Sequence, residues 1–493
     1  MPSTSAPTVP VERLGRTDLG SLVATCARAL AEARRLHRPV LASWARPLEL
    51  ADPVAVWSRA RRSTQRSFLW QSPWDDGSVL ALGSARDLRG RGERRIASVR
   101  AGWQSLVRDL VTGGVTVPGL PSGAGPLAIG GFSFRPESPY EMGRLPDALM
   151  WVPALQIRSA VPAPGAEDRP VAAELRLNAV LLHDSDPEQV AGGLLHLADL
   201  CLAPEPDARA PHETSPRTCD TTELPSSADW KRLVRRATDR MHAGEFEKVV
   251  LAREVRVAAS APFDVPAAVD RLRGANPGTT LFAVDHEEYT FLGATPEYLV
   301  RVADRTVHAL GLAGTVPRGT TAEQDAALER ELVDSAKIRH EHDVVVRMLR
   351  AALGASCADV TAETPPRVVR LANVQHLSTK VRGELARDST AGILDFVERL
   401  HPTPALGGHP REEALRWLAD HEGLDRSWYA GVVGWADAAG QGQFAVAIRS
   451  ALLDGTSASL YAGCGLVADS DPEAEYAETC AKLRPMMSAL GIE

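Results

Sequence analysis

The chain has 493 residues, which at about 150 residues per domain corresponds to roughly three domains or fewer large ones. Its 55 basic and 63 acidic residues give a formal net charge of −8, so it lacks the basic footprint of a nucleic-acid or anionic-membrane binder. No segment approaches the ~18 apolar residues of a membrane span. The N-terminus lacks the basic and apolar regions of a secretory signal, which favours a cytoplasmic globular protein.

The cysteines are scattered and form no CxxC pair. This spacing argues against a zinc knuckle, an iron–sulfur cluster or a thioredoxin-type redox pair. We expect them to be reduced, mostly buried small hydrophobic residues. They are Cys26, Cys201, Cys219, Cys357, Cys464 and Cys480.

In the first half of the chain, short apolar runs between turn residues predict strands at 67–71, 79–82 and 126–134. Between them, apolar residues recur at helical spacing over 96–110. Residues 203–227 are rich in Pro, Ala, Ser and Thr, which is typical of a surface linker. We expect an N-terminal α/β portion, 1–220, that completes the sheet scaffold of a core at 221–493.

The second half begins with an amphipathic pattern that predicts a helix from Trp230 to Met241, closed by Gly244. A long helical pattern covers 322–353, and 470–473 fits a capping box with proline in the first turn of a last helix. Because helices and hairpin-like strand pairs are interleaved, the chain predicts a mixed α+β fold rather than a doubly wound sheet. The strands are expected at 248–257, 280–284, 290–293, 298–302, 431–435, 443–453 and 459–463.

The last predicted helix carries Glu475, Glu478 and Lys482 on one face, because they lie at positions i, i+3 and i+7. Spacing alone favours a solvated face with a Glu478–Lys482 salt bridge. However, a run of small and apolar residues at 461–467 precedes the helix, and such a run lets backbone N–H groups approach a ligand.

The long helical pattern contains Glu341 at the edge of its apolar stripe. A carboxylate there is costly unless it is paired or bound to a cation. No HExxH motif is present, which argues against a zinc hydrolase. Carboxylates from two helices suit Mg²⁺, although pairing within the helix is equally compatible with the spacing.

Two further charged residues lie beside apolar strands. Lys248 begins a run of Val, Leu and Ala, where an inward-facing amine would lose solvation and favour its neutral form. Glu297 follows a strand and a Pro turn. An ordinary exposed lysine and glutamate would be the default interpretation at both positions.

Together these segments resemble the chorismate-binding enzyme family, and within it the isochorismate synthases. No single string is decisive, but their order is specific and covers the chain from about 227 to its end, with GGFSF at 130–134 extending it. The strings are KVVLAR at 248–253, FLGATPE at 291–297, LAGT at 312–315, EH at 341–342, VQHLST at 374–379, HPTPALGG at 401–408, WYAGVVGW at 428–435, VAIRS at 446–450 and SDPEAEY at 470–476.

The resemblance implies one large α/β unit that converts chorismate to isochorismate. Lys248 would be the general base that activates water for attack at C2, and Glu297 the general acid that protonates the departing C4 hydroxyl. The resemblance further implies three carboxylates around Mg²⁺ and a set of substrate-binding residues. The carboxylates are Glu341, Glu475 and Glu478; the substrate-binding residues are Gly314, Thr315, His376, Thr403, Tyr429, Arg449, Gly463, Gly465 and Lys482.

Two other hypotheses stay open on the residues. A salicylate synthase would form isochorismate and then eliminate pyruvate in the same pocket. A non-catalytic chorismate-binding relative is disfavoured because Lys248 and Glu297 are both present. The resemblance also implies a monomer with no glutamine amidotransferase subunit, since ammonia is not needed. The residues leave the pathway open among menaquinone, siderophore and other secondary-metabolite biosynthesis.

Overall fold

The computed structural model describes residues 14–75, 77–121, 123–136, 145–161, 170–203, 218–370 and 374–492. Within these ranges the helices are α1 (Arg16–Leu36), α2 (Pro53–Ala60), α3 (Arg95–Val107), α4 (Pro187–Leu202), α5 (Ser227–His242), α6 (Val265–Ala275), α7 (Ala322–Asp334), α8 (Ala336–Gly354), α9 (Ile393–Leu400), α10 (Arg411–His421) and α11 (Pro472–Leu490).

The strands are β1 (Val40–Leu50), β2 (Arg66–Ser72), β3 (Gly77–Leu82), β4 (Arg86–Gly90), β5 (Val111–Gly114), β6 (Leu127–Phe132), β7 (Ala148–Val152), β8 (Leu155–Ala160), β9 (Val171–Leu181), β10 (Cys219–Leu224), β11 (Lys248–Ala259), β12 (Thr280–His286), β13 (Tyr289–Thr295), β14 (Tyr298–Ala303), β15 (Thr306–Pro317), β16 (Cys357–Ala362), β17 (Arg367–Arg370), β18 (Val374–Leu385), β19 (Gly408–His409), β20 (Val432–Asp437), β21 (Gly442–Val446), β22 (Ser450–Asp454) and β23 (Ser457–Leu466).

These strands form two large sheets, so the predicted mixed α+β fold is confirmed. The first sheet has 13 strands in the order β10-β11-β23-β22-β13-β12-β2-β3-β8-β9-β1-β5, with β19 beside β11. The second has ten, in the order β16-β18-β15-β14-β21-β20-β6-β7-β4, with β17 beside β18. Strands from before and after residue 220 pair directly in both sheets, β2 with β12 and β6 with β20.

The two sheets pack face to face around large aromatic side chains. Phe68 of β2 meets Trp151 of β7 edge to face, with ring centroids 6.2 Å apart. One buried cluster contains residues of both sheets, including Phe282 from the first and Trp435 from the second. Helices α1, α4, α6 and α11 cover the first sheet, and α3, α8 and α9 cover the second. The apolar cores therefore hold the ends of β11, β15 and β23 in fixed positions.

Three predicted elements differ from the structure. The linker proposed at 203–227 contains β10, which pairs along β11; residues 204–217 lie outside the described part of the chain. The predicted long helix is two helices, because Ser335 is extended and its hydroxyl accepts from Ile338 N to cap α8. The strand predicted at 443–453 is two strands in different sheets, β21 and β22, separated by a turn in which Arg449 has a φ of 52°.

Most of the cysteines are buried, as predicted. All six are free thiols, four of them buried and two, Cys219 and Cys480, partly exposed. None of the helices in the described ranges has the length and apolar character that crossing a lipid bilayer requires.

Candidate active site

A cavity of about 290 Å³ lies where the two sheets, α8 and α11 meet. Every residue that the sequence assigned to the site lines it, except Thr403. A larger cavity, of about 1160 Å³, lies between α5 and residues 421–425, and none of the predicted site residues lines it. The smaller cavity is therefore the candidate active site.

Lys248 is buried at the first position of β11, with 5% of its surface exposed. Its Nζ donates a hydrogen bond of 2.5 Å to Oε1 of Glu341 on α8. Gly465 of β23 lies beside this pair, and a Cβ there would come within 2.9 Å of Lys248 Cε. Lys248 is thus neither exposed nor unpaired.

Glu297 lies in the turn between β13 and β14 and is also 5% exposed. Its backbone N–H donates to Thr295 Oγ1, and its carbonyl accepts from Val446 N, which fixes the turn to β21. Burial raises the pKa of Glu297 to about 8, although the positive charges of Lys248 and nearby cations oppose the rise. The carboxyl is therefore protonated at neutral pH, as a general acid must be.

The first turns of α11 bring a second group of charges to the cavity. Asp471, rather than Ser470, caps this helix by accepting from the N–H groups of residues 473 and 474. Ser470 instead donates to Glu475 Oε1 at 2.7 Å. Lys482 Nζ lies 2.5 Å from Glu478 Oε1 and donates to the carbonyl of Gly463. The predicted salt bridge exists, but it lines the cavity instead of a solvated face.

The three glutamates offer oxygen donors of the kind that bind a divalent cation. Burial raises the pKa of Glu475, and the charge of Glu478 adds to the rise, so a cation between them would relieve an existing cost. Glu341 and Glu478 are each held by a lysine. Among the described residues, no three His, Cys, Asp or Glu side chains are already grouped as metal ligands. The oxygen donors suit Mg²⁺, which needs few protein ligands.

A positively charged side chain, Arg449, also lines the cavity. This residue occupies the turn between β21 and β22, and its guanidinium makes no hydrogen bond or ion pair with the described residues. Tyr429 stacks on Tyr461 with ring centroids 5.1 Å apart, and burial raises the pKa of Tyr429 to about 12. A Cβ at Gly463 would approach the Tyr429 hydroxyl to 3.3 Å. The group offers an unpaired cation and a neutral hydroxyl to an anionic ligand.

A bulge in β15 shapes the remaining wall. The register with β18 shifts between Ala313 and Thr315, and Gly314 has a φ of 79° in the region that favours glycine. The carbonyl of Gly314 lies 3.2 Å from His376 Nδ1, and Thr315 Oγ1 lies 3.1 Å away. Burial lowers the pKa of His376 to about 3. His376 is a neutral ring, which suits a hydrogen-bonding role rather than proton transfer.

The prediction that Thr403 lines the pocket differs from the structure. Thr403 is buried in the turn that follows α9, and its carbonyl accepts from the N–H groups of Leu406 and Gly407. Ala405 and Leu406 line the cavity instead. Thr403 Oγ1 is buried and finds no partner among the described residues.

A buried ion pair, whose Arg426 lines the cavity, was missed by the sequence analysis. Arg426 binds Glu422 through two nitrogens and donates to the carbonyls of Val250 and Leu406. Glu422 also accepts from the N–H of Ala252. The pair therefore joins the strand that carries Lys248 to the turn at 403–408. Its only sequence signal, opposite charges four residues apart, is indistinguishable from that of a surface pair.

The comparisons with known proteins agree with this geometry. The chorismate binding enzyme model matches residues 28–491, and the chain therefore belongs to the chorismate-binding enzyme family. It is 36% identical to the salicylate biosynthesis isochorismate synthase of Pseudomonas aeruginosa over 96% of this chain and 94% of that one. It is 34% identical to the isochorismate synthase MenF of Bacillus subtilis, over 94% and 96%.

A solved structure extends the likeness to the fold. The menaquinone-specific isochorismate synthase MenF of Escherichia coli superposes with a TM-score of 0.73 and 26% identity, covering 94% of this chain and all of that one. The family suggested by the sequence is confirmed, and the chain is an enzyme of that family.

Proposed function

We propose that this protein is a Mg²⁺-dependent isochorismate synthase that interconverts chorismate and isochorismate. The observation that carries the proposal is that one cavity holds a buried lysine, a carboxyl protonated at neutral pH and an unpaired arginine. The named relatives with high coverage are isochorismate synthases, which supports the same activity.

In the proposed reaction, water adds to C2 of the ring while the C4–oxygen bond breaks and the double bonds shift. Lys248 takes a proton from the attacking water in its neutral amine form, and Glu341 beside it stabilises the ammonium that results. Glu297 gives its proton to the departing hydroxyl, which leaves as water. One proton is taken up and one is given, so no redox partner or ammonia is required.

Recognition of the substrate falls to the cationic end of the cavity. Chorismate carries two carboxylates, and Arg449 and Lys482 supply two positive charges there. The hydroxyl of Tyr429 and the neutral ring of His376 add hydrogen-bonding groups that stay uncharged at neutral pH.

Glu341, Glu475 and Glu478 would hold the Mg²⁺ ion. When bound, the ion would neutralise and orient the ring carboxylate of the substrate. The protein's own contribution is to keep three carboxylates, two of them paired with lysines, at one side of the cavity.

A product assay tests the proposal. The purified protein is incubated with chorismate and Mg²⁺, and the products are separated by chromatography. Isochorismate alone supports the proposal; salicylate together with pyruvate would assign a salicylate synthase instead. No conversion with or without Mg²⁺ would contradict the activity, and equal conversion in the presence of a chelator would contradict the metal requirement.

A further inference from the structure

A second cavity, of about 270 Å³, lies next to the candidate active site and shares Pro296, Arg449 and Lys482 with it. We call this second cavity the antechamber. The two cavities meet at these shared side chains, so a ligand in the antechamber would touch the same two cations as a ligand in the active site.

The antechamber is lined by positive charge. Besides Arg449 and Lys482, its lining includes Arg318 and Arg370, and none of the described residues that line it is acidic. Arg318 is held by Asp325 at 2.8 Å and Arg370 by Glu329. These carboxylates orient the two arginines without themselves lining the cavity. The wall therefore presents two arginine side chains, 34% and 51% exposed, that are held by ion pairs; arginine is well suited to binding carboxylates.

Arg449 connects the two cavities. Its guanidinium lacks a hydrogen-bond or ion-pair partner among the described residues, and the residue is half-buried. A partly buried cation without a partner loses solvation, and an anion arriving from either cavity would offset that cost. A row of cations from Arg370 through Arg449 to Lys482 would favour movement of an anion towards the active site.

We propose that the antechamber is an anion-binding entry site, through which a dicarboxylate passes before it reaches the active site. This inference rests on the proposed function, because that function makes the substrate a dianion. The antechamber lowers the barrier to entry and exit. It therefore changes the association and dissociation rate constants by the same factor and leaves the equilibrium affinity nearly unchanged.

The test measures chorismate binding in a Lys248→Ala background, so that the ligand is not consumed. Stopped-flow fluorescence gives the association and dissociation rate constants at several ionic strengths. Arg370→Glu should lower both by about threefold to tenfold and flatten the salt dependence of association. The dissociation constant should change by less than about twofold, since a step on the path alters the barrier and not the end states.

Arg367→Glu is the matched control. Arg367 lies on β17 like Arg370, and each is held by a glutamate. Their side chains are 71% and 51% exposed, but Arg370 lines the antechamber and Arg367 does not. The two variants have the same net charge. If Arg370→Glu and Arg367→Glu had equal rate constants, the effect would come from the overall charge of the protein, and the proposal would be overturned.

A second variant tests the path without changing charge. Ala481→Phe places a ring in the antechamber from α11 and should slow association and dissociation together, with circular dichroism confirming the fold. Unchanged rate constants in folded Ala481→Phe protein would show that substrate enters elsewhere. Turnover by the unaltered protein tests the proposed function separately. If the unaltered protein is active but neither Arg370→Glu nor Ala481→Phe changes the rate constants, the antechamber proposal is contradicted while the proposed function stands.

Discussion

Lys248 and Glu297 line the same cavity, but their charged groups have different surroundings. The charged groups near Lys248 are paired. Lys248 binds Glu341, and Arg426 binds Glu422. The side of Glu297 is unpaired, because its carboxyl has no hydrogen-bond partner among the described residues and burial alone raises its pKa to about 8. Burial without a partner favours the neutral form of a carboxyl. Glu297 thus carries a proton that it can donate, whereas Lys248 serves as the proposed base only as a neutral amine.

Removing the paired base should have the largest effect. We expect Lys248→Ala to lower kcat by about 10²–10⁴-fold, the usual contribution of a general base, while chorismate still binds. Steady-state turnover and equilibrium binding measure the two quantities. A variant with near-normal kcat would show that another group activates the water.

The ion pair between Arg426 and Glu422 should contribute to the stability of the fold. Arg426→Leu leaves Glu422 buried without its main partner, and we expect a loss of about 3–5 kcal/mol in the free energy of unfolding. Urea denaturation measures it. The double variant Arg426→Leu/Glu422→Leu should recover part of the loss, because it also removes the buried Glu422 carboxylate that has lost its partner. No difference between the single and double variants would mean that the pair acts only through shape.

The metal hypothesis gives the third prediction. Glu478→Gln removes one carboxylate charge from the proposed set while keeping the size of the side chain. We expect the Mg²⁺ concentration for half-maximal activity to rise at least about tenfold, and calorimetry should show the same weakening without turnover. An unchanged Mg²⁺ titration would contradict the assignment of Glu478. Glu473→Gln is the control, since Glu473 lies on the same helix but pairs with Lys231 outside the cavity.

These predictions also mark how far sequence reasoning could reach. The ordered strings picked out residues that the structure brings to one cavity, and periodicity placed Glu475, Glu478 and Lys482 on one helix face. It did not show that Ser335 divides a helix or that Arg449 turns the chain from one sheet into the other. Both depend on tertiary pairing of the strands and helices on either side, which local propensity does not contain. The burial of Arg426 and Glu422 was likewise invisible, because exposed and buried pairs share one spacing.

The unpaired carboxyl of Glu297 predicts a pH dependence of kcat/KM. Glu297 must be protonated to act as an acid, and its pKa is about 8, so kcat/KM should fall as the pH rises through about 8, approaching tenfold per pH unit above it. Infrared difference spectroscopy of the free protein should show a protonated carboxyl that disappears over the same range. In Glu297→Gln that signal should be absent at every pH. A signal that disappears near pH 4 would refute burial as the control of this group.

The smallest expected effect is at Thr403, which resemblance assigned to the pocket and the structure places behind it. Its hydroxyl is buried without a partner among the described residues, so replacing it by a methyl group of similar size costs little. We expect Thr403→Val to change kcat/KM by less than about twofold and to leave the free energy of unfolding unchanged or slightly higher. Leu406→Asn, in the same turn but on the cavity lining, should lower kcat/KM more. If Thr403→Val were the more damaging change, the hydroxyl would have to reach the substrate, and the turn at 403–407 would have to rearrange on binding.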